Sequence, residues 1–216
     1  MTSCHLAICA RTWDVPVITE FLRGGISIWD SLAHAYGITC TTEFKDAMKK
    51  ALYMAVYGDT KSDITKKIRE NRISELPFYA HPVIAALFEA RQPKMQRIWL
   101  DQCGLDCFGR ILRTSKVIVK ETFIDGAKAE VMTEVLDVKS ILAQLSQSWE
   151  LKILYPAVEL AIQNQCESGF AIMLWQWDGF SIACKDWLAD SWTRKIKNCI
   201  DANCKALGFE TELEWK

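Results

Sequence analysis

The sequence predicts an α-rich α/β (α+β) fold with a small antiparallel sheet, and a few stretches carry most of that prediction. Residues 41–57 and 138–162 repeat apolar side chains at three- and four-residue spacing over long runs, the period of a one-faced helix. Residues 171–183, AIMLWQWDGFSIA, set Asp178-Gly179 between two apolar and aromatic runs, the strongest short-range hairpin signal a sequence offers. A single carboxylate therefore stands at the turn. Packing does not require an acid there, whereas a carboxylate on a rigid tip is well placed to take a divalent cation. The plain alternative is that Asp178 only forms the turn.

In chain order, residues 6–10 read as the end of a strand or the start of a buried helix. Val17, Ile18, Phe21 and Leu22 give a helical period that Gly24-Gly25 stops. A short helix follows over 28–36, ended by Gly37. Thr41 caps the long helix that runs to Tyr57, Glu43 lies in its first turn, and Gly58 ends it. A further helix covers 61–71. Pro77, Pro82 and Pro93 break the middle, leaving short helices over 83–90 and 95–100. Residues 104–113 read as loop and turn with a basic exit, and 116–121 as a strand. The segment 138–162 turns Ile141, Leu142, Leu145, Trp149, Ile153, Leu154, Val158 and Ile162 inward, with Pro156 starting, kinking or dividing it. After the hairpin, a helix over 185–207 buries Trp187, Leu188, Trp192, Ile196 and Ile200, and a strand closes the chain over 209–215.

The 216 residues are 50% hydrophobic, enough for one domain or two small lobes. A formal net charge of −1 excludes a global basic signature, so any nucleic-acid site has to be a local cluster. There is no apolar run of about 18 residues and no leader pattern at the N-terminus. A soluble cytoplasmic protein with no membrane partner is expected. The nine cysteines, Cys4, Cys9, Cys40, Cys103, Cys107, Cys166, Cys184, Cys199 and Cys204, are odd in number and lack zinc-knuckle spacing. They read as reduced, mostly buried small residues. The half-apolar SCHLAICART directly after Met1, with no lead-in, reads as a chain that starts inside a domain.

The helix over 41–57 carries the chemistry. Lys45, Lys49, Tyr53 and Tyr57 follow one another at steps of four, on one slowly drifting stripe. Its cationic half suits phosphate oxygens and its aromatic half suits a base, the two needs of a nucleoside triphosphate. The plain alternative is a solvated lysine face with tyrosines at a packing edge.

This pattern, K-x3-K-x3-Y-x3-Y-G over Lys45, Lys49, Tyr53, Tyr57 and Gly58, resembles the fingers helix of the family A DNA polymerases, usually R-x3-K-x3-F/Y-x3-Y-G. Upstream, LAICARTWDVPVITEFLRGG resembles the family's LRIMAHLSGDEGLLEAFRNG. Downstream, Gly104, Gly109 and Arg110 resemble its G…T…GRR segment. SILAQLSQSWE takes the place of the palm helix that carries a glutamine, here Gln144. IMLWQWDGF takes the place of QVHDE. The likeness covers essentially the whole chain, in the family's order.

The resemblance implies a palm-and-fingers architecture, with a partial palm over 1–36, fingers over 37–115, and palm with the catalytic hairpin over 116–216. It implies template-directed addition of deoxynucleotides to a primer 3′ end in DNA replication, and an origin in a phage, plasmid or other mobile element. Primer-template DNA and deoxynucleoside triphosphates would be the partners and Mg2+ the cofactor, in a two-metal site. Asp178 would be a metal ligand. Lys49 would contact the triphosphate and offset leaving-group charge, and Lys45 would reach the outer phosphates without arginine's planar fork. Tyr53 would stack by the sugar and base, Tyr57 would pack at the template side, and Gly58 would let the helix end approach closely. Arg110 and Gln144 would touch the primer or template backbone. His5 stands where the family has the glutamate that crowds the sugar 2′ position.

The departures are specific. The family's other catalytic aspartate would precede Met1, which makes this an N-terminally truncated and divergent form, completed by a missing N-terminal region or a further polypeptide. Trp177 and Gly179 replace the histidine and acid that flank the hairpin aspartate. Whether the chain turns over by itself is thus a separate question from its family. Two alternatives stay open: a catalytically dead nucleic-acid-binding remnant, and a single-subunit RNA polymerase relative, against which Tyr53-Met54 stands where methionine-threonine is usual.

Overall fold

The protein's structure, a computed structural model, describes residues 4–124, 127–165, 168–176 and 179–211, and the side chains among them except those of 120–129, 175 and 176. The chain runs α1 (Cys4–Thr12), α2 (Pro16–Arg23), α3 (Ile28–Ala35), α4 (Thr42–Tyr57), α5 (Lys61–Glu70), α6 (Leu76–Ala80), α7 (Pro82–Asp101), β1 (Gly104–Leu105), β2 (Ile111–Leu112), β3 (Ser115–Ile124), β4 (Ala127–Leu136), α8 (Val138–Gln163), β5 (Phe170–Gln176), β6 (Gly179–Cys184) and α9 (Ala189–Leu207). The helix-rich, antiparallel character is as the sequence predicts. The strands, however, form three separate two-stranded ribbons rather than one small sheet.

Helices α1 to α7 enclose the larger core, which includes Leu6, Ile18, Ile28, Leu32, Met48, Leu52, Ile64, Phe78 and Leu87. A second core joins α1, α8, α9 and the β5–β6 ribbon through Ile8, Ile153, Leu154, Phe170, Trp192, Ile196 and Ile200. A third, small cluster of Ile98, Ile141 and Leu142 links α7 to α8. Each fully buried side chain of this size contributes about 1.5–3 kcal/mol of transfer free energy, so the positions of α4 and α8 are fixed by packing on several sides.

Several expectations change. Of the two readings for residues 6–10, the buried helix holds and the strand does not: all of Cys4 to Ala10 is buried between two cores, which a strand could not satisfy without a sheet neighbour. Residues 83–90 and 95–100 are one helix, α7. Pro93 removes one backbone donor, but Val83, Ile84 and Leu87 on one side of it and Ile98 on the other are all buried, and the helix runs through. Pro156 likewise fails to divide α8. The Lys152 carbonyl that the proline cannot serve accepts instead from Asn203 Nδ2 of α9 at 2.9 Å, and the same amide reaches the Ile153 carbonyl at 2.9 Å. On α8, Ile141, Leu142, Ile153 and Leu154 are buried as predicted, but Ile162 is exposed, and Ser146, Ser148, Glu150 and Ala157 are buried without having been expected.

Residues 104–113 hold a short ribbon, β1–β2, rather than loop alone. The strand expected over 116–121 is longer and has a ten-residue partner, β4, that the period count misses. Both faces of that ribbon meet solvent, with Val117 and Val119 on β3 and Val131 and Met132 on β4 exposed, so no inward–outward alternation is written into it. The signal present in the sequence is Asp125-Gly126, which lies outside the described residues. Trp187 is 77% exposed instead of buried, because a 3₁₀ turn over Asp186–Leu188 shifts the phase before α9 begins. No strand forms over 209–211, and 212–215 lie outside the described residues. Of the cysteines, Cys4, Cys9 and Cys204 are buried, whereas Cys40, Cys103, Cys107, Cys184 and Cys199 are only partly so, which corrects the expectation of general burial; Cys166 lies outside the described residues. No helix among the described residues is long and apolar enough to cross a membrane.

Candidate functional site

Helix α4 is written plainly into the sequence. The Thr41 hydroxyl accepts from Phe44 N at 3.2 Å, satisfying an orphan amide of the first turn. Phe44, Ala47, Met48, Ala51, Leu52, Ala55 and Val56 enter the core. That burial leaves Lys45 exposed and Lys49, Tyr53 and Tyr57 half-buried on the neighbouring stripe. The Lys49 ammonium lies 5.5 Å from the Tyr53 ring centre, and the two tyrosine rings are 6.1 Å apart. Lysine and tyrosine therefore form one continuous surface, cationic at one end and aromatic at the other.

Under the tyrosines lies His5 from α1. Its ring is 4.4 Å from that of Tyr53, tilted by 38°, and meets Tyr57 edge-on at 5.5 Å. Nε2 of His5 is 2.6 Å from the Tyr57 hydroxyl and 3.2 Å from Oε1 of Glu150 on α8. His5 and Glu150 are 4% and 2% exposed. Three helices thus bring a histidine, a carboxylate and two tyrosines together, in surroundings where each polar group strongly constrains the others. Glu150 is a residue the sequence reading misses. Its signal was available: it lies three and four positions before Ile153 and Leu154, so a carboxylate sits on the apolar stripe of the helix.

The C-terminal end of α4 is held by its neighbours. Gly58 adopts the left-handed conformation at φ +92°, and a Cβ there would stand 3.0 Å from Leu142 Cδ1 and 3.4 Å from Met95 Cε. The close approach is to α7 and α8. Arg91 of α7, 6% exposed, donates from Nη1 to the Ala55 carbonyl at 2.6 Å, one of the acceptors a helix end leaves open. Burial lowers the proton affinity of this guanidinium, and Asp59 partly restores it. Asp59, just past the helix, accepts from Lys139 of α8 at 2.6 Å.

Arg110 and Gln144 occupy a second region, around β1–β2 and the first half of α8. Asp106 accepts from the backbone amides of Phe108 and Arg110 at 2.9 and 2.8 Å and from Arg110 Nε at 2.7 Å. Burial works against its charge, but these bonds outweigh it and hold the carboxyl below the usual range. The guanidinium so tethered is 67% exposed and stands 5.7 Å from the Phe108 ring. Gln144 donates from Nε2 to Thr114 Oγ1 at 3.1 Å, tying α8 to the chain leaving β2.

Asp178 lies outside the described residues, as does Trp177. The ribbon that flanks them is formed, with Gln176 opposite Gly179 and an irregularity between Ile172 and Leu174. Among the described residues no group of three or more histidine, cysteine or carboxylate side chains is gathered. The described side chains therefore do not by themselves make a site for a pair of cations.

No protein-family model matches the sequence, and no curated protein resembles it significantly. Among solved structures, the fold is similar to the polymerase domain of Pol1 from M. smegmatis, solved in complex with DNA primer-template and dNTP. The TM-score is 0.68 at 12% identity, over 99% of this chain. The chain spans 37% of that protein's chain. The fold is polymerase-like.

Proposed function

We propose that this chain is the palm-and-fingers region of a DNA-directed DNA polymerase of the family A type, which adds deoxynucleotides to a primer 3′ end along a DNA template. The observation that carries the proposal is the lysine–tyrosine surface of α4, continuous and backed by His5 and Glu150, in a chain whose fold resembles a polymerase domain over nearly its whole length. Fold likeness at this identity does not by itself assign a reaction; the stripe supplies the chemistry.

In this reading Lys49, beside the Tyr53 ring, binds triphosphate oxygens, and exposed Lys45 reaches those farther out. Tyr53 is the platform for base and sugar, where stacking on an aromatic side chain contributes roughly 1–3 kcal/mol. Tyr57 and Gly58 close the surface at the template side. Arg110 and Gln144 are assigned to the primer or template backbone, and the division into residues 1–36, 37–115 and 116–216 follows. Bound Mg2+ would activate the attacking oxygen and neutralise the leaving group. Asp178 is its proposed ligand.

The test is titration of a primer–template complex of this chain with dATP and Mg2+. Lys49→Ala is expected to weaken dATP about tenfold or more, the loss of a charge-assisted contact of about 1.5–3 kcal/mol, with DNA affinity nearly unchanged. An unchanged dATP dependence would return α4 to a solvated lysine face. In an N-terminally extended chain, Asp178→Ala is expected to abolish extension and spare DNA binding; full activity in that variant would defeat the assignment.

A further inference from the structure

The turn between β1 and β2 presents an aromatic ring and two cations away from the α4 surface. Phe108 is 45% exposed at its tip, and Leu105 and Ile111, paired across the ribbon, are 67% and 64% exposed. The turn is nonetheless firmly held. The buried Asp106 carboxylate binds the amides of Phe108 and Arg110. Cys107 anchors the turn to α8: its amide donates to Ser148 Oγ at 3.4 Å, and its carbonyl accepts from Lys152 Nζ at 3.2 Å. At Gly104 a Cβ would stand 2.6 Å from Ile141 Cγ2, so the ribbon sits directly on that helix. An exposed ring on a fixed support loses little freedom when something packs on it.

The cations decide what packs there. The Arg110 guanidinium is 5.7 Å from the Phe108 ring and the Lys152 ammonium 6.0 Å. Both lie near the outer reach of cation–π attraction, so they flank the ring without a close hold on it. Arg110 binds Asp106 through Nε alone, on a side chain that is 67% exposed. Lys152 donates to a neutral carbonyl and is paired with no carboxylate among the described residues. A flat apolar ring between two such donors matches one repeat of a nucleic-acid strand: a base for the ring, phosphates for the cations. A duplex keeps its bases stacked on one another, whereas an unpaired base is free to fold onto the ring. We propose that the β1–β2 turn is a single-strand site, where an unpaired base stacks on Phe108 and the adjoining phosphates meet Arg110 and Lys152. The Arg110 contact rests on the polymerase reading above; Phe108 and Lys152 extend it to a strand without a partner.

The test is fluorescence anisotropy of the full chain with a labelled oligothymidylate of about 12 nucleotides, an abasic strand of the same length, and a blunt duplex. Phe108→Ala is expected to weaken oligothymidylate about fivefold or more, the loss of one base–aromatic stack. The same variant should bind the abasic strand and the duplex as the wild type does, and Phe108→Trp, which keeps a stacking face, should stay near wild type on all of them. Lys152→Met should make the slope of log affinity against log salt shallower by about 0.7, the share of one phosphate on a single strand. Equal oligothymidylate affinity in Phe108→Ala and wild type, or an equal loss on the abasic strand, overturns the site. An unchanged salt slope overturns the Lys152 contact. A change in self-association of the free chain in place of these losses gives the turn to a second copy and also overturns it. A wild-type chain that binds the duplex but not oligothymidylate overturns the single-strand site alone; one that binds neither overturns the polymerase reading with it.

Discussion

Gly58→Ala is the substitution with the clearest structural consequence at the end of α4. Glycine at φ +92° tolerates a left-handed backbone, whereas an L-residue there costs about 1–2 kcal/mol. The new methyl would also meet Leu142 Cδ1 at 3.0 Å and Met95 Cε at 3.4 Å. Leu142 is buried and part of the cluster that joins α7 to α8, so its retreat is resisted, and overpacking of this kind costs about 1–3 kcal/mol. The two effects sum to roughly 2–5 kcal/mol, which in a chain of this size lowers Tm by roughly 4–20 °C. Gly37→Ala isolates the backbone part: it is at φ +67° with nothing within 4 Å of its Cβ position. Thermal and urea melts of the two variants should therefore differ by the packing contribution alone. Equal losses would show that α4 does not press on α8 at Gly58, and with that the claim that neighbouring helices set the place of Tyr57 would fail.

Two further outcomes are expected. Arg91→Met keeps the apolar length of the side chain but removes the donor to the Ala55 carbonyl, and should cost about 1–3 kcal/mol in urea unfolding; a neutral result would mean the α4 terminus needs no partner there. Asp137 caps α8, accepting from Ser140 N at 3.5 Å and Ser140 Oγ at 2.7 Å, so Asp137→Ala should cost about 1 kcal/mol near neutrality. Burial acts to raise this carboxyl, but the bonds from Ser140 and the nearby Lys116 prevail and hold it below its ordinary value. Its stabilisation is complete above the unfolded-state value of about 3.9 and is lost as pH falls through the lower folded-state value. The gap between wild type and variant at about pH 7 should therefore narrow as pH falls below the unfolded-state value. A gap that widened on acidification would contradict the sign.

Helix α4 was legible because its signals are local: the Thr41 cap, the apolar period and the Gly58 stop all lie within one stretch of sequence. The β5–β6 hairpin was legible for a similar reason, two apolar runs meeting at a local break, although Gly179 pairs with Gln176 as the first residue of β6 instead of standing in the turn. The contacts that give α4 its character were not. His5 and Glu150 meet Tyr57 only because α1 and α8 cross behind it, and no local period records a crossing. Only part of β3 was read and β4 escaped, because neither face of the ribbon is buried among its described side chains, and Trp187 was misplaced because a single 3₁₀ turn changes helical phase. Sequence assigned His5 to the nucleotide; its burial against the rings of Tyr53 and Tyr57 is a contact that only the crossing of α1 and α4 makes.

Helix α8, 26 residues or about 39 Å long, contributes Ile141 and Leu142 to the cluster with α7 and Ile153, Leu154 and Ala157 to the core with α9. One continuous helical rod thus belongs to both hydrophobic clusters. Loss of either half should strip the rod of its support and drag the remainder along. Calorimetry should accordingly record one melting event whose van't Hoff and calorimetric enthalpies agree, in place of a staircase of independent lobes.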